Sequence, residues 1–170
     1  MIRIVTQIRF NRFERESSRM TVTASARTFL IATSFALSCF SGSVAAEMVS
    51  TKGSTVNMRA KPSTQSDRLW ELDKGYPLRV LKRQGKWVQV QDFENDRGWV
   101  YAPLTSRTPY HIVKANVANI RTGPGTKYRV IARASRGDLL RTKAKKTGWV
   151  KVEQSNGQMG WMSKNLVWGW

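Results

Sequence analysis

Cysteine is all but absent: the 170 residues hold one, Cys39, and histidine is as scarce, with His111 alone. A single cysteine allows no internal disulfide, and past residue 46 there is no thiol nucleophile and no Cys–His pair. One histidine does not assemble a typical zinc site, and no Ser–His–Asp pattern stands at a recognised elbow. Acidic groups are few, eleven Asp and Glu against 29 Lys and Arg, for a formal charge of +18. The apolar run at residues 28–40 falls short of the about 20 residues of a membrane-spanning helix. No segment after residue 47 sustains a helical period of apolar residues. These absences leave a basic chain of short strands with no cofactor or metal motif and no visible catalytic machinery.

The N-terminus describes a targeting segment. Residues 28–40 (T-F-L-I-A-T-S-F-A-L-S-C-F) follow Arg27, carry no charge, and lead into S-G-S-V-A-A-E with Val44 and Ala46 at the −3 and −1 positions of a cleavage site. Basic flank, apolar core and small-residue exit predict a secretory signal peptide, with the mature chain starting near Glu47. Met20 is an alternative start within a long basic leader. Leu37 lies two residues before Cys39, not the three of a lipobox, which disfavours a lipid anchor. The expected location is periplasmic or extracellular, with no transmembrane segment in the mature form.

The rest of the chain is written twice. Residues 57–64 (N-M-R-A-K-P-S-T) return at 119–126 (N-I-R-T-G-P-G-T), and the offset of 62 then holds without a gap. It carries Gly75 to Gly137, Leu78 to Leu140, Trp87 to Trp149, Val88 to Val150, Gly98 to Gly160 and Trp99 to Trp161. Such a register across Trp, Gly and Pro marks an internal duplication. Each copy alternates short apolar stretches with turn residues. In the first these are Val56–Met58, Leu69–Leu72, Leu78–Leu81, Trp87–Val90 and Arg97–Tyr101. Five strands in about sixty residues predict a small antiparallel barrel. The expected organisation is 1–46 as extension and signal peptide, 47–106 as the first barrel and 110–170 as the second. Trp99 and Trp161 are expected to fill much of each core. The Asn156-Gly157 pair predicts a type I′ hairpin turn.

Together, N-x-R-x-x-P, G-x-x-L, W-V-x-V and G-W-[VM], once per copy, resemble the bacterial SH3 (SH3b) domain family over residues 50–166. The second copy, R-T-G-P-G at 121–125, keeps the family's loop; the first has Arg59-Ala60-Lys61-Pro62-Ser63 and lacks both glycines. The resemblance implies all-β architecture, two tandem SH3-like five-stranded barrels, in an exported protein of the kind that holds an enzyme or assembly at the cell wall.

Binding is the function class that remains. The first copy holds eleven Lys/Arg against seven Asp/Glu, the second twelve against two, so the cationic excess belongs mainly to the second. Export makes nucleic acid an improbable physiological partner for this charge. The candidate ligand contacts are Arg121, Lys127, Tyr128, Arg129 and Trp149 in the second copy and Tyr76 and Trp87 in the first. Tyr128 between two cations suits a sugar face plus a carboxylate, as in peptidoglycan. Trp87 and Trp149 face away from Val88 and Val90 by alternation, towards a groove, the other copy or remaining core. Arg59 and Arg121 are forks for a carboxylate or phosphate, or pins for the long loop. Asp92, Glu94 and Asp96 read as solvated turn acids, and His111 as a linker or surface residue. Leu166–Trp170 reads as a closing strand or as an apolar patch that docks on the first barrel or a partner. The expected activity is non-catalytic binding of peptidoglycan or another anionic envelope polymer. The alternative is an adaptor for an envelope protein.

Overall fold

The computed structural model describes residues 46–170. The signal segment, Met20 and Cys39 lie outside the described residues. The first copy forms β1 (Met48–Thr51), β2 (Thr55–Arg59), β3 (Arg68–Asp73), β4 (Pro77–Gln84), β5 (Trp87–Gln91), β6 (Arg97–Tyr101) and β7 (Thr105–Ser106). The second forms β8 (Tyr110–Val113), β9 (Val117–Arg121), β10 (Val130–Ser135), β11 (Leu139–Lys146), β12 (Trp149–Glu153), β13 (Met159–Ser163) and β14 (Val167–Gly169). The sheets have matching orders, β3-β2-β6-β5-β4-β1-β7 and β10-β9-β13-β12-β11-β8-β14, with every pairing antiparallel. The five expected strands are present in each copy, and a short strand is added at either end.

Period-two alternation sets the layers. Val88 and Val90 on β5 are fully buried while Trp87, Gln89 and Gln91 are half-buried on the opposite face, and β12 repeats this with Val150 and Val152. The first core gathers Val56, Met58, Leu72, Leu78, Val88, Val90 and Val100; the second gathers Ala118, Ile120, Leu140, Val150, Val152 and Met162. Trp99 and Trp161 belong to neither cluster. Their neighbours Val100 and Met162 take the inward positions, so alternation sends both indoles to the outer face. A β-carbon on Gly98 would lie 2.5 Å from Met58 Cγ and 3.0 Å from the Arg59 carbonyl oxygen, and one on Gly160 would lie 2.9 Å from that of Arg121. Glycine here is what lets β6 and β13 approach β2 and β9 closely enough to close each barrel.

Two local expectations are corrected. Asn95 is the one described non-glycine residue with positive φ, so Asn156 lacks the positive φ that a type I′ turn requires and Asn156-Gly157 is not one. The turn is a wider loop closed by Gln154 N–H donating to the Gln158 carbonyl, with Gly157 left-handed in the place Asn95 takes in the first copy. His111 is neither linker nor surface. It sits on β8, 1% exposed, with Nδ1 2.6 Å from Thr142 Oγ1. Burial pushes its pKa down to about 4, with Lys145 adding to the effect, so it is neutral at pH 7.

The barrels are joined along a packed seam. Ile112 of β8 lies within the first core, and Leu139 and Trp168 pack against it. Arg79 lies over the Trp168 ring at 5.9 Å, and Trp170 Nε1–H donates to Ser50 Oγ at 3.2 Å. The Tyr110 ring covers Gly75, where a β-carbon would come within 2.7 Å. Arg136 pairs with Glu94 at 3.1 Å and lies over Phe93. The tail therefore does both things read into it: β14 closes the second barrel by pairing with β8, and its indoles dock on the first.

Candidate ligand-binding face

Rows of cross-strand neighbours define the outer face of each barrel. In the first, Lys82, Gln89, Trp99 and Arg59 stand side by side across β4, β5, β6 and β2. The next row is Gln84, Trp87 and Tyr101. In the second, the matching rows are Ala144, Lys151, Trp161 and Arg121, then Lys146, Trp149 and Ser163. Both rows exist because bulges at Leu81 and Lys143 shift the register by one residue and turn these side chains outward.

The first barrel's aromatics are covered. Lys82 Nζ lies 5.9 Å from the Trp99 centroid, leaving that indole 8% exposed, and Trp87 meets Tyr101 edge-on at 5.5 Å. In the second barrel Ala144 replaces the covering lysine and Ser163 replaces the tyrosine. Trp161, beside Lys151, is accordingly half-buried where Trp99 is buried, whereas Trp149, beside Lys146, is half-buried as Trp87 is.

The long loop distinguishes the copies further. Arg59 Nη1 donates to the Ser66 carbonyl at 2.7 Å; Arg121 Nη1 donates to the equivalent Tyr128 carbonyl at 2.8 Å and to that of Thr126 at 2.9 Å. Both arginines pin the loop. In the second copy the Tyr128 ring lies against the backbone at Gly123 and Gly125, where added β-carbons would meet it at 2.5 and 3.2 Å. The first copy has Lys61, Ser63 and Ser66 at these places, so the glycines and the tyrosine belong together. Tyr128 is 38% exposed, with Lys127 Nζ 5.7 Å from its centroid, and Arg129 is exposed beside it.

Of the sequence-derived candidates, Arg121, Lys127, Tyr128 and Arg129 meet on one loop, and Trp149 lies on the sheet face whose neighbouring row ends at Arg121. Trp87 holds the matching place in the first barrel, against Tyr101. Tyr76 is apart from them: it is in the first core, 8% exposed, and its hydroxyl donates to Asp92 Oδ2. Trp161 was expected in the core and not on this face, and Lys151 and Ala144 were not singled out from sequence. The signal was available, since the offset of 62 aligns Ala144 with Lys82 and Ser163 with Tyr101.

The acidic triplet is internal to a turn. Oxygens of Asp92, Glu94 and Asp96 lie within 4.8 Å of one another, but Asp92 Oδ1 accepts the backbone N–H groups of Glu94 and Asp96. Burial raises the Asp92 pKa against these hydrogen bonds, and Glu94 reaches across the seam to Arg136. This carboxylate caps a hairpin.

A family model described as the bacterial SH3 domain matches residues 52–107 and again 114–169. The chain is 28% identical over 123 residues to the putative N-acetylmuramoyl-L-alanine amidase YrvJ of Bacillus subtilis (strain 168), a match taking in 66% of this chain and 24% of that one. It thus spans about a quarter of the relative's length. Among solved structures, an NlpC/P60 family protein from Bacillus cereus ATCC 10987 is 16% identical at a TM-score of 0.33, over 72% of this chain and 56% of that one. NlpC2 from Trichomonas vaginalis is 12% identical at 0.33, over 73% and 48%.

Proposed function

The chain belongs to the bacterial SH3 domain family, and on that premise we propose that it is an exported, non-catalytic protein that binds peptidoglycan or another anionic envelope polymer through the outer face of its second barrel. One observation carries this reading: Trp99 is buried beneath Lys82 in the first copy, while its counterpart Trp161, with Ala144 in place of that lysine, is only half-buried in the second. Indole faces stack on sugar rings, and Lys151, Lys146, Lys127 and Arg129 around them meet carboxylates or phosphates. The match to part of a protein named as an amidase fits a module that accompanies wall chemistry. Cleavage near Glu47 would leave every strand intact, and the Glu47 carbonyl already accepts Val80 N–H. No helix among the described residues is long and apolar enough to cross a membrane.

The test is retention of the mature chain on purified sacculi with Trp161→Ala, Trp149→Ala and Tyr128→Ala variants. Loss of retention on substitution supports the reading; retention unchanged in all three overturns it. A second reading, an adaptor for an envelope protein, is favoured by exposed apolar residues peculiar to the second copy. Val117, Val130 and Met159 are 59%, 37% and 47% exposed, where the first copy has Thr55, Arg68 and Arg97. Capture of a defined envelope protein without sacculus binding would decide for it.

A further inference from the structure

Between the barrels, away from the outer face, lies a cleft of about 530 Å³ lined by Glu47, Met48, Arg79 and Arg107 from the first copy and Lys145 and Trp170 from the second. Its size is within the about 300–1,000 Å³ of small-ligand sites. Three of these six side chains are cationic and one is acidic. Glu47 is already engaged by Arg83 at 2.6 Å, with Arg107 at 3.6 Å, and its pKa is lowered chiefly by the Arg83 hydrogen bond. Among the described residues Arg79 and Lys145 form no ion pair. Like charges do not converge without cost unless a counter-charge joins them.

The walls are held in place. The Arg79 guanidinium lies 5.9 Å from the Trp168 ring centre, within cation–π range, and the bond from Trp170 Nε1–H to Ser50 holds that indole. Arg107, with 83% of its side chain exposed and only a 3.6 Å pairing to Glu47, can exchange that exposed pairing for a ligand. The geometry points to an oxyanion site at the seam of the tandem, taking a ligand that carries two or more phosphate or carboxylate groups and bridging Arg79 and Arg107 of one copy to Lys145 of the other. Neither barrel alone supplies the set. The site rests on residues distinct from those of the outer face, so either can fail without the other.

The test is calorimetric and NMR titration of the mature chain, at low salt, with pyrophosphate and separately with a polyphosphate chain. Saturable binding is expected, with movement of the Trp168 and Trp170 indole signals. Lys145→Gln, an exposed change outside any core, should weaken it by about tenfold, as for one charge-assisted hydrogen bond. Arg79→Gln should do the same. Removing the same charge elsewhere, as Lys61→Gln with Lys86→Gln, should leave it within twofold. Saturation by pyrophosphate supports the site with a free ion as ligand. Saturation by polyphosphate alone, with the same dependence on Lys145, supports it with a polymer-borne oxyanion. Absence of saturation with either probe, or equal weakening by the Lys61/Lys86 pair, overturns it.

Discussion

The two barrels share strand order, bulge positions, closing glycines and the arginine that pins the long loop, and they differ in how their outer faces and floors are finished. The first covers its indoles with Lys82 and Tyr101 and builds its floor from Val49 and Val80. The second leaves Trp161 half-buried where Trp99 is buried, and places His111 and Thr142 at the corresponding floor positions. Duplication preserved what the backbone requires and released what the surface presents. A barrel of this size depends on a few close approaches, while its outer rows change at little cost to the core.

The largest test of that contrast is pH. The folded His111 pKa is about 4 against 6.5 unfolded, so between those values the unfolded chain binds more protons and stability falls as pH is lowered. The loss should approach about 3 kcal/mol by pH 4 and level off below it. The double change His111→Val with Thr142→Val, which restores the first copy's floor, should remove this part of the slope in denaturant titrations run across pH. A slope that persisted unchanged would place the sensitive group elsewhere.

Next come the closing glycines. Gly98→Ala and Gly160→Ala should each cost about 2–3 kcal/mol, because backbone as well as side chain stands in the way. Gly123→Ala should be costly too, since the Tyr128 ring is in contact, whereas Lys61→Ala at the equivalent place should cost nothing measurable by thermal melting. Gly75 and Gly137 share φ values of 87° and 90°, but only Gly75 is covered by Tyr110. The excess cost of Gly75→Ala over Gly137→Ala measures that contact.

Exchanging the covers sharpens the comparison at the level of binding. Ala144→Lys with Ser163→Tyr should shield the second face and reduce sacculus retention by about tenfold, the scale of one or two lost aromatic contacts. Lys82→Ala with Tyr101→Ser should raise the first barrel's contribution. If the first exchange leaves retention unchanged, Trp161 and Trp149 are not what the polymer meets. The smallest effect is expected from Arg136→Gln, a partly exposed ion pair with Glu94 worth about 0.5 kcal/mol and fading with salt.

Much of this was legible in the residues. Five strands per copy follow from alternation and turn chemistry, and the offset of 62 fixes the equivalences. Apart from the closing strand at the tail, the end strands were not legible, because Thr105–Ser106 and Tyr110–Val113 are too short and mixed to declare themselves without their partners. His111 misled because a histidine after a proline suggests a connection; its alignment with Val49 was the clue to a buried place. Tyr76 looked like a free aromatic, yet it has a buried acid to bond, which only the fold brings near. The indoles of Trp99 and Trp161 face outward by the same alternation that buries Val100 and Met162.

Ile112 makes the duplication irreversible in folding. It is chain of the second copy and core of the first, and Trp168, from the far end of the sequence, packs on that same cluster. A cut between residues 108 and 109 would yield two halves, one missing part of its interior and the other exposing it. A core shared in this way predicts that the tandem unfolds in one cooperative transition.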